Sequence, residues 1–178
     1  MNSMSRRDND FCGRDRDRDR DRDRDCPTII KCTGPNTSQL VVTVANPTTT
    51  GVIASINVDN SCLCNPVTKL EFATIISTAA DGFAGTVSLR VLKQCRHQAT
   101  PSPIGTVWTL NVLANTTVPL SFFICDSDSC DNDCCTYTVE ATITANGANS
   151  GIVTFNNSTL GAISTCKKNC HKCRRDRD

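Results

Sequence analysis

Apolar and polar residues alternate along most of the chain between Thr28 and Ser164, and the clearest run is Cys135–Thr144. There Cys135, Tyr137, Val139, Ala141 and Ile143 share one parity, and Thr136, Thr138, Glu140, Thr142 and Thr144 share the other. A period of two marks a strand with one buried face. Gly85–Cys95 reads the same way, with Val87, Leu89 and Val91 set against Ser88 and Arg90. Further strands are expected at Thr28–Cys32, Gln39–Ala45, Gly51–Asp59, Val67–Ser77, Thr106–Ala114, Val118–Cys125, Gly151–Asn156 and Thr159–Ser164. Turn signals separate them: Asn46-Pro47, Asn60, Asp81-Gly82, a loop carrying Pro101, Pro103 and Gly105, and Asn146-Gly147. No stretch keeps a helical period. Nine or ten short strands predict an all-β, two-sheet antiparallel sandwich of jelly-roll type. An immunoglobulin-like sandwich is the nearest rival. Trp108 and the pair Phe122-Phe123 are expected in its core, because such sandwiches need large inward side chains.

Composition divides the chain into three. Residues 28–165 are rich in Thr, Val, Ile, Ser and Asn, which suit a pleated sheet. That length fits one domain. Residues 1–27 form a nearly aliphatic-free arm, and residues 166–178 a basic, cysteine-bearing tail. Within the first arm, residues 14–25 are six Arg-Asp pairs bounded by Cys12 and Cys26. A helix would stack like charges four residues apart, whereas an extended ribbon puts all Arg on one side and all Asp on the other. By itself such a run has nothing apolar to bury and is expected to be disordered. It serves either as a soluble spacer, with a reach on the order of 40 Å at ~3.3 Å per residue, or as a charge zipper against similar ribbons. The net charge of +1 offers no field for nucleic acid or an anionic membrane, and neither is expected as a partner. No apolar stretch is long enough to span a bilayer. The opening residues lack the apolar core of a secretory signal, so synthesis in the cytoplasm without a signal peptide is expected.

Thirteen cysteines conflict with a reducing cytosol. Seven lie in the body: Cys62, Cys64, Cys95, Cys125, Cys130, Cys134 and Cys135. Six lie towards the ends: Cys12, Cys26, Cys32, Cys166, Cys170 and Cys173. An odd number cannot pair completely within one chain. Cys134 and Cys135 are adjacent in a strand, so their side chains point to opposite faces. Cys135 takes the core parity and Cys134 the outward one. One can close an internal bridge while the other is offered to a partner. Cys62, Cys64, Cys95, Cys125, Cys130 and Cys135 are therefore candidates for bridges within the body. Cys12, Cys26, Cys32, Cys134, Cys166, Cys170 and Cys173 are candidates for bonds between chains. The connectivity stays open.

Zinc is the competing chemistry. Cys166, Cys170, His171 and Cys173 supply four soft ligands, although their spacing matches no standard finger. The loop Asp126–Asp133 has the acidic look of a calcium loop, but Asp131 and Tyr137 stand where such a loop needs glycine and glutamate. It reads as a solvated acidic loop. Catalytic patterns are missing: there are two histidines, no GxSxG elbow and no glycine-rich phosphate loop. No enzymatic activity and no cofactor are expected.

The segments Cys62–Ala73, Leu92–Arg96, Phe122–Cys130, Cys134–Glu140 and Asn156–Ile163 resemble an uncharacterised cysteine-rich family of clostridial spore-formers, over roughly residues 28–165. More loosely, the layout is similar to the subunits of bacterial endospore appendages. These are jelly-roll domains whose cysteine-bearing connector bonds to preceding subunits in a fibre. That resemblance implies Cys12, Cys26 or Cys32 as connector thiols, with Cys134, Cys62 or Cys64 as acceptor. The long Arg-Asp run and the cysteine-rich tail depart from that pattern. The expectation is a structural subunit of a disulfide-cross-linked fibre or surface layer on a spore. Its partner would be itself, head to tail, with other spore-surface proteins as further partners. The alternatives are a ligand- or receptor-binding jelly roll at a spore surface or fibre tip, and a metal-sequestering protein.

Overall fold

The computed structural model describes residues 27–61, 63, 65–79, 83–96, 98–127, 134–147 and 150–167. These contain the strands β1 (Ile29–Cys32), β2 (Asn36–Val42), β3 (Thr48–Asp59), β4 (Pro66–Thr78), β5 (Gly85–Cys95), β6 (Ser102–Val112), β7 (Thr117–Asp126), β8 (Cys134–Ala145) and β9 (Gly151–Cys166). All pairings are antiparallel: β2 with β9, β3 with β8, β4 with β7 and β5 with β6. The chain is thus one long hairpin wrapped around a core. The wrap brings β9 beside β4 and β8 beside β5, giving two sheets ordered β2-β9-β4-β7 and β3-β8-β5-β6. This is the jelly roll expected from the alternation. β1 continues the first sheet beyond β2, pairing with the C-terminal half of β9.

The inward parity of β8 and β5 forms the middle of the core, with Tyr137, Val139, Ala141, Ile143, Val87, Leu89 and Val91 all buried. Facing them from the first sheet are Leu70, Phe72, Ile76, Val153, Phe155 and Leu160. The outward parity of the second sheet is a ladder of hydroxyls joined across strands. Thr50 meets Thr142 at 2.9 Å, and Ser88 meets Thr109 at 3.1 Å.

Four details depart from the sequence expectation. The two segments Gly151–Asn156 and Thr159–Ser164 are one strand, β9. Asn157 sits there at a left-handed φ of 53°. The register with β4 shifts between Ala73 and Ile75, so the extra residue forms a bulge and the inward parity moves from Val153 and Phe155 to Ser158 and Leu160. Asparagine tolerates that backbone better than most residues. The expected proline loop is instead the start of β6. As an edge strand it accommodates Pro103 opposite Leu92, and Gly105, at φ 69°, has no room for a Cβ beside Ile124. Phe122 and Phe123 do not both enter the core, since adjacent residues of a strand face opposite ways. Phe122 stacks on Trp108 with ring centroids 3.8 Å apart, whereas Phe123 is 65% exposed. Finally, Asp126 is not part of a solvated loop: it is the buried last residue of β7.

Candidate functional site

The cysteines separate by which face of a sheet they occupy. Cys95 and Cys135 lie directly opposite each other on the inward parity of β5 and β8 and are joined by a disulfide. They are 2% and 1% exposed. In the chain-entropy account, a bridge closing 40 residues stabilises the fold by roughly 4 kcal/mol. Cys134 takes the outward parity of β8 and is exposed. Cys166, read from the sequence as a tail thiol for a neighbour, is disulfide-bonded in the single chain. Cys125, grouped by sequence with the body bridges, instead carries a free and exposed thiol. The reason is parity: on β7 the inward positions are Leu120, Phe122, Ile124 and Asp126, which leaves Cys125 outside. Cys32 is likewise free and exposed. Cys12, Cys26, Cys62, Cys64, Cys130, Cys170, His171 and Cys173 lie outside the described residues.

Cys32 and Cys125 share the outer face of the first sheet, at opposite edges. One cross-strand row runs Cys32, Gly161, Glu71, Phe123. The next runs Ile30, Ile163, Lys69, Cys125. Three strand steps of ~4.8 Å and an offset of two residues at ~3.3 Å put the two cysteines on the order of 16 Å apart, more than twice the ~7 Å limit of Cα separation for a disulfide. They cannot pair with each other in one folded chain. Beside Cys32, on the side of its row away from Cys125, lies an open hollow of about 490 Å³ lined by Cys32, Glu71, Phe123, Ala73, Ser121 and Gly161. Ile30, Ile163 and Phe123 give this face an exposed apolar rim. Lys69 bonds Glu71 at 2.5 Å and lies 5.4 Å from the Phe123 ring centroid. The Glu71 carboxylate holds the Lys69 ammonium above its usual range.

A second polar cluster is buried at the disulfide end of the core. Lys93 Nζ lies 2.7 Å from Asp126 Oδ2, with side chains only 5% and 4% exposed. The Tyr137 hydroxyl donates to the same Oδ2, also at 2.7 Å. Burial pushes the Tyr137 phenol far above its usual range. Thr68 and Ser164 hydroxyls meet at 2.7 Å nearby, and Asn60 Nδ2 donates to Thr68. Sequence reasoning missed this cluster, although a signal existed: Lys93 continues the Val87, Leu89, Val91 parity, and Asp126 continues the Phe122, Ile124 parity. Among the described residues no three His, Cys, Asp or Glu side chains gather as a metal site. No helix among them is long and apolar enough to cross a membrane.

Two structures of infectious bursal disease virus share the fold. The Gx strain structure superposes with a TM-score of 0.53 at 10% identity, covering 77% of this chain and 33% of that one. The Gt strain structure gives 0.50 at 12%, covering 78% and 33%. This chain therefore spans about a third of the length of those viral chains. A structure of carbohydrate-binding modules from the beta-sandwich super family aligns at a TM-score of 0.35 and 6% identity, over 72% of this chain and 55% of that one. No curated protein matches the sequence. The family model described as "Domain of unknown function (DUF4489)" matches residues 26–165, nearly the whole sandwich, and the chain belongs to that family.

Proposed function

We propose that the chain is a non-enzymatic structural subunit, cross-linked to copies of itself by disulfides in a fibre or surface layer, with an endospore appendage as the specific setting. One observation carries the reading: Cys32 and Cys125 are free, exposed, on one face, and too far apart to pair with each other. The core bridge Cys95–Cys135 is buried and already complete. Remaining thiols at two edges of a sheet give each subunit two points of covalent attachment. Cys32 lies on β1, the strand that follows the charged arm, which suits a head-to-tail arrangement. Joining two thiols removes two hydrogens, which molecular oxygen accepts once the assembly leaves a reducing compartment.

The test uses the full chain, purified reduced and then exposed to air. Fibres or particles in negative stain, with a non-reducing gel ladder that collapses on reduction, are the expected result. A monomer that stays clean under oxidising conditions contradicts the proposal.

The hollow beside exposed Phe123 favours a second reading, a ligand-binding module at a surface or tip. Such a protein does not polymerise alone, and it binds a ligand saturably at that hollow.

A further inference from the structure

We propose that Lys93 and Asp126 condense into an amide bond, an internal cross-link formed by the folded chain itself. Lys93 belongs to β5 of the second sheet and Asp126 to β7 of the first, so the bond would staple the two layers together. Four observations point the same way. Nζ and Oδ2 are in direct contact at 2.7 Å, which places the amine beside the carboxyl carbon without rearrangement. Both side chains are almost completely withdrawn from water, which discourages hydrolysis of the product. Tyr137 donates a hydrogen bond to Oδ2, the oxygen that must leave, and burial keeps that phenol protonated. The cluster also adjoins the existing covalent tie: Cys95 is two residues beyond Lys93, and Cys135 two residues before Tyr137.

The step balances without any outside reagent. The ammonium of Lys93 gives up two protons, both of which end on Oδ2. Nζ forms a bond to Cγ of Asp126, the Cγ–Oδ2 bond breaks, and one water departs. One proton remains on the amide nitrogen, and Oδ1 becomes the amide carbonyl oxygen. Tyr137 is the group placed to relay a proton to the leaving oxygen. In water the charged pair would not react. In the core, forming the neutral amide removes the cost of keeping two charges buried. An ion pair in such a place contributes little net stability by itself, since apolar replacements often do as well.

Intact-mass measurement on the full chain, folded, then fully reduced and denatured, decides the matter. The expected mass is one water below that of the reduced sequence, with digestion yielding a branched peptide that joins Lys93 to Asp126. Lys93→Met should restore the full mass. Tyr137→Phe should slow bond formation after synthesis, followed by intact mass against time in cell-free translation, by about 10²-fold or more, the usual worth of a positioned general acid. A folded wild-type chain of full mass overturns the proposal whatever the variants do. So does a water loss located elsewhere, such as at Asp81-Gly82. An unchanged rate in Tyr137→Phe overturns the relay assigned to that residue.

Discussion

Two lysine–carboxylate pairs and two kinds of cysteine sit on opposite sides of the same sheets, and burial alone separates their roles. Lys93–Asp126 and Cys95–Cys135 lie inside, paired and shielded from water. Lys69–Glu71 and the thiols of Cys32 and Cys125 lie outside, on a hollowed face with an exposed phenylalanine. A buried pair has no water to fall back on, so each partner depends on the other. An exposed pair is solvated either way and contributes little. The same amino acids hold the domain together on one side and leave it open to neighbours on the other.

Breaking the buried pair should have the largest effect. Lys93→Ala strands the Asp126 carboxylate inside the core, and denaturant unfolding should show a loss of about 3–5 kcal/mol. Lys69→Ala should leave the midpoint unchanged. Equal effects from the two substitutions would break the comparison.

Removing the core bridge comes next. The double substitution Cys95→Ala with Cys135→Ala should cost roughly 3–4 kcal/mol by the same measurement. Cys32→Ser with Cys125→Ser should leave stability alone while shortening the non-reducing ladder.

Alkaline titration sharpens the contrast further. The single tyrosine is buried and its phenol is held protonated, whereas the unfolded chain ionises it near its ordinary value of ~10. Below that value the fold and the unfolded chain are both protonated, and the contribution is fully present. Above it, only the unfolded chain releases the proton, so stability falls as pH rises. Phenolate absorbance should therefore appear together with unfolding and not before it.

The smallest effect belongs to the outward ladder of the second sheet. Thr50→Ala removes an exposed hydroxyl contact with Thr142 and should change stability by less than ~0.5 kcal/mol.

The strand order was not written in the alternation, but most strands were. Thr136 through Thr144 and Val87 through Val91 alternate so strictly that the alternation alone assigns their faces. Periodicity registers β9 as two strands because its bulge at Asn157 shifts the inward parity. Phe123 lies outside although its size suggests burial, because strand parity decides its face. Lys93 and Asp126 are the converse: their charge suggests solvent, but their parity points inward and they are buried. Cys135 and Cys134 followed parity throughout. Cys32 and Cys125 needed the structure, because only the sheet order shows that they share a face and stand out of each other's reach.

Disulfide mapping by mass spectrometry on the air-oxidised full chain, digested without reduction, tests the central claim most directly. Mixing light and isotopically heavy chains before oxidation marks every bond between copies. The account predicts Cys95–Cys135 peptides of uniform isotope label, and Cys32 and Cys125 in mixed-label peptides that join one chain to another. Cys32 and Cys125 recovered as free thiols, or bridged only within a single chain, would contradict it.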